Sequence, residues 1–329
     1  MSAPARSGAE DAGVEDAEDA GAEDAEDRAR QDAVLTWYDG SARDLPWRRE
    51  GTSPWGVLVS EVMSQQTPVA RVVPVWQEWM RRWPGPADLA PAPTAHVLRV
   101  WGTLGYPRRA LRLIECAQAV VEHHDGAVPT ERDALLALPG VGEYTAGAVM
   151  AFAHGRRALV LDTNVRRVLA RSVGGQALPA PSLTRVERER AQGLLPRSDQ
   201  RAARWSAAVM ELGALVCTAR EPRCDACPWG EQCAWVASGR PADVHAARRR
   251  TQAWHGTDRQ ARGRIMAVLR AADPEVSVGR RELLAVPLGS SGIPGSGAPP
   301  ERPRACPQPR RNGQGARGFL IPKLGVIYS

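Results

Sequence analysis

Lysine, aromatic residues and long apolar runs are all scarce in this chain of 329 residues. Its one lysine is Lys323, so arginine carries almost all of the positive charge. A covalent mechanism through a lysine amine therefore has a single residue available. No run of about 18 apolar residues is present, so no membrane span is expected. Strand-like alternation of apolar and polar residues is also missing, and this favours an all-α fold.

Charge is distributed unevenly along the chain. Residues 1–30 contain 10 acidic and 3 basic residues, which leaves +13 on the remainder against a total of +6. The acidic segment has few apolar residues to bury, so we expect a disordered tail over residues 1–30. The basic remainder suits a polyanionic partner. Solvated surface arginines would give the same composition, and charge alone leaves both interpretations open.

Four of the six cysteines lie within 17 residues, in the spacing C-x6-C-x2-C-x5-C: Cys217, Cys224, Cys227 and Cys233. Disulfides suit small secreted proteins, whereas this N-terminus is charged and carries no apolar signal segment. Structural zinc sites usually show two C-x2-C pairs, and only one is present here. Four thiolates also suit an iron–sulfur cluster. The spacing alone leaves zinc and iron–sulfur open.

Helical periodicity extends from Gln31 to about Arg240, with turns rich in Pro and Gly near residues 83–86, 91–93 and 139–142. Residues 241–288 contain the run Arg248-Arg249-Arg250 and predict a basic linker with a short helical extension. Residues 289–329 are rich in Pro, Gly, Ser and Arg without periodicity. They predict a second disordered tail.

A glycine-containing turn, Leu138-Pro139-Gly140-Val141-Gly142, lies between two helical stretches. Gly140 and Gly142 permit a tight turn, and the next helix is expected to begin near Glu143. Backbone N–H groups at such a helix start can hold a DNA phosphate without reading a base. Turns of this kind also join helices in many proteins without binding anything.

This turn, the segment 161–168 and the cysteine quartet about 50 residues beyond Asp162 together resemble the helix–hairpin–helix DNA glycosylases. The resemblance covers roughly residues 31–240. It implies two helical domains, residues 55–155 and residues 31–54 with 156–240, with a DNA cleft between them. It also implies a 4Fe–4S cluster held by the four clustered cysteines.

The segment 60–67 is similar to that of the MutY-type adenine DNA glycosylases. This resemblance implies that Glu61 protonates adenine and that Asp162, helped by Asn164, stabilises an oxocarbenium-like sugar. Tyr144 stands where the bifunctional endonuclease III relatives carry a lysine nucleophile. The plain alternatives are a solvated glutamate in a helix and an aspartate that caps one.

Further positions match the family's contacts with DNA. The adenine pocket is matched by Trp47, Arg48, Val69 and Glu211, and the wedge around the opposite 8-oxoguanine by Gln66, Thr67, Leu104 and Tyr106. Trp47, Val69 and Leu104 are also typical core residues, and Tyr106 a half-buried one. Ser64, Thr163 and Pro107 depart from residues common in the family, and none of these changes removes a catalytic group.

The resemblance to the MutY-type enzymes implies a monofunctional adenine DNA glycosylase. It would act as a monomer, in the bacterial cytoplasm at the nucleoid, on double-stranded DNA with adenine opposite 8-oxoguanine or guanine. We expect no full MutT-like domain after Arg240. Two alternatives stay open: an endonuclease III-like enzyme acting on oxidised pyrimidines, and an iron–sulfur protein that binds DNA without catalysis.

Overall fold

A computed structural model describes residues 11–248, 257–272 and 278–284. The helices and turns of these residues confirm the all-α fold class. The chain forms two compact units: the described residues of Met1–Pro91 with Leu111–Arg250, and those of Ala92–Ala110 with Thr251–Ser329. Both predicted domain boundaries, at residues 54–55 and 155–156, fall inside the first unit. The predicted two-domain division therefore stays a prediction.

The helices follow one another with short connections. They are α1 Asp11–Ser41, α2 Pro54–Ser64, α3 Val69–Arg82, α4 Pro86–Leu89, α5 Thr94–Trp101, α6 Arg108–His123, α7 Arg132–Ala137, α8 Glu143–Phe152, α9 Thr163–Ser172, α10 Arg185–Leu194, α11 Asp199–Leu215, α12 Ala234–Ala237, α13 Asp258–Ala271 and α14 Arg280–Leu284. Short 3-10 turns occur at Pro46–Arg48, Cys224–Ala226 and Ala246–Arg248. None of the described helices is long and apolar enough to span a membrane.

Helix α1 begins at Asp11 and thus overlaps the predicted acidic tail. Its alanines and glutamates favour a helix. Within the first unit, α1 is tied to the cysteine loop, because the Trp229 indole N–H donates to the carbonyl of Arg30 over 2.8 Å. Residues 1–10 and the predicted tail 289–329 lie outside the described residues, and the disorder of both tails stays a prediction.

The main core of the first unit is formed by apolar faces of α1, α9, α10 and α11. Its members include Val34, Val165, Trp205, Leu212 and Trp229, which are all nearly inaccessible to solvent. Helix α11 therefore packs along α9, and this packing fixes where the first turn of α9 lies.

A second, smaller cluster consists of short side chains around α8: Ala148, Ala151, Ala158 and Val160. Small residues allow the chain after α8 to approach the helix closely. A Cβ atom added to Gly147 would lie 2.4 Å from the carbonyl oxygen of Leu159. Glycine is thus required at position 147, because any side chain there would push the segment leading to Asp162 away.

In the second unit α5 packs against α13, with Val97, Leu98, Met266 and Leu269 buried. The Arg99 side chain donates to the carbonyl of Ala272 over 3.3 Å, which joins α5 to the C-terminal end of α13. Helices α13 and α14 occupy the region of the predicted helical extension.

Candidate active site and cysteine pocket

Glu61 lies in the middle of α2, a helix whose residues from Trp55 to Met63 are all buried. Only 8% of the surface of Glu61 is accessible, so the alternative of a solvated helix glutamate is wrong. The hydroxyl of Tyr144, from the first turn of α8, donates to Glu61 Oε2 over 2.7 Å. A carboxyl in such surroundings is held in one position.

The protonation of Glu61 follows from this burial. Loss of solvent raises the pKa of Glu61 to about 7, and the charge of Asp162 also raises it, while the Tyr144 hydrogen bond and Arg48 lower it. Burial and the two carboxyl groups raise the pKa of Tyr144 well above its usual value, so its hydroxyl stays a donor. Glu61 can therefore carry a transferable proton near neutral pH.

Asp162 is the N-cap of α9 and a neighbour of the Glu61 carboxyl. Its side chain accepts hydrogen bonds from the Val165 backbone N–H and from Asn164 Nδ2, both at 2.7 Å. Burial raises the pKa of Asp162, and these hydrogen bonds oppose the rise. The positive end of the α9 dipole also favours its ionised form. Asp162 thus caps a helix as the plain alternative expected, and it does so beside Glu61.

Arg48 reaches this site through a buried ion-pair network centred on Glu211 of α11. Arg48 Nη2 donates to Glu211 Oε2 over 2.8 Å, and Arg43 donates to both oxygens at 2.6 and 2.9 Å. Burial alone would raise the pKa of Glu211, but the hydrogen bonds from Arg43 and Arg48 hold this pKa at about 2. Arg43 was missed by sequence reasoning; a glutamate inside an apolar helix face was the signal that a cation must lie nearby.

Arg167 of α9 connects the first turn of the helix to the cysteine loop. Its side chain donates to Asn164 Oδ1 at 2.8 Å and to the carbonyls of Gly213 and Cys217 at 2.7 Å each. A Cβ atom added to Gly213 would lie 2.7 Å from the Cβ of Asn164, so α11 touches α9 there. Asn164 is therefore held from two sides, and with it the Asp162 carboxyl.

The four clustered cysteines line a single pocket, together with Arg171 and Trp235. All four are free thiols, which argues against disulfides. Arg171 Nη1 donates to Cys217 Sγ over 3.4 Å, and its guanidinium lies 4.7 Å from the Trp235 ring centre. Sulfur donors of this number select zinc or iron–sulfur over harder metals.

The shared pocket lets all four thiols act as ligands of one bound group. Four sulfur donors are the ligand set of a structural zinc site and also of an iron–sulfur cluster.

Known proteins are similar to this chain in sequence and in fold. A family model described as the HhH-GPD superfamily base excision DNA repair protein matches residues 59–192. An adenine DNA glycosylase of Mycobacterium tuberculosis is 54% identical over 76% of this chain and 81% of its own length. The chain belongs to the adenine DNA glycosylase family. The predicted family is thereby confirmed.

Other relatives support the same family and fold. An adenine DNA glycosylase of Mycolicibacterium smegmatis is 52% identical over 74% of this chain and 81% of its own length. A solved structure of a thermostable thymine-DNA glycosylase aligns with a TM-score of 0.60 at 28% identity, over 66% of this chain and 99% of that one. This relative is named a thymine-DNA glycosylase. The shared fold alone therefore does not determine which base is excised.

The remaining positions matched to adenine DNA glycosylases lie in several places. In the first unit Trp47 stacks edge-on against Trp76, Val69 begins α3, Thr67 is buried, and Gln66 is exposed with a positive φ of 53°. Gly140 has a φ of 81° in the turn between α7 and α8, and Gly142 caps α8. In the second unit Leu104 is buried and Tyr106 exposed. Their roles toward DNA stay predictions.

Replacing Arg43 by alanine is expected to lower the free energy of unfolding by about 3 kcal/mol, because buried Glu211 keeps only one of its two cations. Urea unfolding at pH 7 measures this change. Arg49→Ala is the matched control, since its ion pair with Asp44 is exposed and screened by water, and its loss should change the free energy of unfolding far less.

The same pair of variants has an expected dependence on pH. The pKa of Glu211 lies below its ordinary value of 4.5, so its stabilisation is present above that pH and lost as the pH falls toward 2. The difference between the unchanged protein and Arg43→Ala should therefore shrink below about pH 4.5. Equal losses for Arg43→Ala and Arg49→Ala would contradict the network.

Proposed function

We propose that this protein is a monofunctional adenine DNA glycosylase that excises adenine opposite 8-oxoguanine or guanine in double-stranded DNA. The observation that carries the proposal is the buried Glu61 carboxyl, with a pKa raised to about 7, between the Tyr144 hydroxyl and Asp162. Excision of a purine needs such an acid, because the leaving base must accept a proton. Membership of the adenine DNA glycosylase family supports adenine as that base.

In the proposed reaction the bond between the sugar C1′ and adenine breaks, and the base leaves with the bonding electrons. Glu61 supplies the proton that neutralises the leaving base. The ionised Asp162, with its hydrogen bonds from Val165 and Asn164, stabilises the positive charge on the sugar. Water then adds to C1′ and its proton returns to Glu61, which leaves an abasic site.

The position of Tyr144 opposes the lyase alternative. A lyase of the endonuclease III type needs an amine that forms a Schiff base with the sugar. Tyr144 donates a hydrogen bond to Glu61 at the matching position, and residues 1–322 contain no lysine. The sugar is therefore hydrolysed rather than attacked by the protein.

Binding of DNA is proposed for surfaces around this site. The N–H groups of the Gly140–Gly142 turn hold a phosphate at the start of α8. Adenine must leave the duplex to reach Glu61, and Trp47, Arg48, Val69 and Glu211 form or support the pocket that receives it. Gln66, Thr67, Leu104 and Tyr106 contact the bases around the opposite strand, and the protein acts as a monomer.

The cysteine pocket is proposed to hold a 4Fe–4S cluster through Cys217, Cys224, Cys227 and Cys233. When bound, such a cluster crosslinks the loop that carries its ligands. The loop exposes Arg220 and Arg223, which suit a phosphate-binding surface. Arg223 also donates to the carbonyl of Leu215 over 2.6 Å, so it helps to close the loop.

Glu61→Gln is expected to lower the single-turnover rate of adenine release at least about 100-fold, because the amide cannot supply the proton. The substrate is a duplex with one adenine opposite 8-oxoguanine, and duplex binding is measured separately. Glu122→Gln, which neutralises an exposed glutamate of α6, should release adenine normally. Equal rates for the two variants would contradict the assignment of Glu61 as the acid. A covalent adduct between protein and DNA, trapped by borohydride, would favour the lyase alternative.

The rate of adenine release should depend on pH through Glu61. Its raised pKa of about 7 means that the carboxyl is protonated below that pH and ionised above it. The single-turnover rate should fall by about tenfold per pH unit on the alkaline side. A rate that is flat from pH 6 to pH 9, under saturating protein, would contradict general acid catalysis by this group.

Purified protein is expected to contain about four iron atoms and four inorganic sulfides per chain. Cys227→Ser should lose both and unfold at a lower temperature, because the pocket loses a ligand. Cys116→Ser is the control, since Cys116 is a buried thiol outside the pocket. Zinc in place of iron would contradict the cluster, and both elements are measured by metal analysis.

A further inference from the structure

The loop between α5 and α6 in the second unit has an unusual backbone. Three of its six residues have positive φ: Gly102 at 55°, Gly105 at 82° and Tyr106 at 46°. A tyrosine rarely adopts this region, because its Cβ atom crowds the following carbonyl oxygen. Pro107 follows directly and disfavours helical backbone at the residue before it. Interactions elsewhere must therefore hold Tyr106 in this conformation.

Two side chains converge on the carbonyls of this loop. The Trp101 indole N–H donates to the carbonyl of Gly105 over 2.9 Å. Arg109, from the first turn of α6, donates through Nη2 to the same carbonyl at 3.1 Å and to that of Leu104 at 3.3 Å. The peptide unit just before Tyr106 is thus fixed by two donors from opposite ends of the loop.

The Arg109 guanidinium also contacts both aromatic rings. Its central carbon lies 5.1 Å from the ring centre of Trp101 and 5.5 Å from that of Tyr106. Each such contact is an electrostatic attraction between the cation and the ring face, and it is stronger where the cation is shielded from water. Burial lowers the pKa of Arg109 to about 10, so the group stays charged at neutral pH. A lysine could not replace Arg109 here, because its ammonium group lacks the planar guanidinium that contacts both rings while it donates to two carbonyls.

The outcome of these contacts is an exposed ring on a fixed backbone. Tyr106 keeps 39% of its surface accessible, whereas Leu104 keeps only 4%. A large aromatic ring that is held out to solvent costs little entropy when it stacks on a base. We propose that Arg109 is a positioning residue that holds Tyr106 ready to stack on DNA bases beside the mispair. This rests on the proposed function, in which Tyr106 contacts the bases.

A role in positioning has a specific signature. The phosphate contacts proposed above lie at the Gly140–Gly142 turn and the cysteine loop, so loss of Arg109 should spare binding to fully paired DNA. Only the preference for a mispaired duplex should fall. The effect should also pass through Tyr106, so that Arg109 no longer matters once the ring is removed.

A double-mutant cycle tests the proposal on the full chain. Affinities are measured for a duplex with a non-hydrolysable adenine analogue opposite 8-oxoguanine and for the same duplex fully paired. Arg109→Met and Tyr106→Ala are each expected to lower the ratio of the two affinities by about tenfold or more. The double variant should be no less selective than Tyr106→Ala. Additive losses would overturn the proposal.

Two further variants separate position from charge. Arg108→Ala removes the same charge from the neighbouring exposed residue and should keep the selectivity. Arg109→Lys keeps the charge and should lose selectivity, and it carries the test by itself if Arg109→Met does not fold. Full selectivity in Arg109→Lys would overturn the proposal, because charge would then suffice. Amide hydrogen exchange of residues 101–108 without DNA should speed up in Arg109→Lys and stay unchanged in Arg108→Ala.

The proposed function and this inference can fail separately. If Tyr106→Ala keeps its selectivity, there is no ring to position and the Arg109 proposal is wrong. Adenine release that still depends on Glu61 would then leave the enzymatic proposal in place. Conversely, loss of selectivity in Arg109→Lys with no adenine release by the unchanged protein would keep the positioning role and reject the chemistry.

Discussion

The burial of the Glu61 carboxyl is the constraint on which the rest of the site depends. A carboxyl without solvent keeps its proton near neutral pH, and it does so only while its neighbours stay in place. Tyr144 is supplied by α8 and Asp162 by the start of α9, while Arg48 is held through Glu211 of α11. The packing of four helices therefore decides the protonation of one side chain.

Helix α9 connects the candidate catalytic site to the cysteine loop. Its N-terminus carries Asp162, and two of its arginines, Arg167 and Arg171, reach the cysteine loop through the carbonyl and sulfur of Cys217. The helix thus ties the candidate catalytic carboxylate to the pocket proposed for a cluster. Both arginines are buried, so each contact excludes water and is stronger for it. Folding of the loop and the position of Asp162 are linked for this reason.

Residues of the site differ in how far they could be predicted. Glu61, Asp162 and Tyr144 stand in local motifs, and the structure brings these three side chains together. Arg43 stands in no motif and meets Glu211 across 168 residues, so only the folded chain reveals it. Arg109 was also missed. Its contacts with Trp101, Tyr106 and two carbonyls depend on the shape of one loop, and amino-acid composition does not predict the positive φ angles of that loop.

The sequence by itself determined the helical class, the turn before α8 and the clustering of the cysteines, because periodicity and spacing are local properties. It did not determine where α1 begins: a segment predicted to be a disordered tail overlaps a helix that starts at Asp11. Only the tertiary structure decided that Glu61 loses its solvent, that Asp162 lies beside it, and that four thiols line one pocket. Burial and electrostatic coupling depend on helices distant in sequence, and those meet only when the core forms.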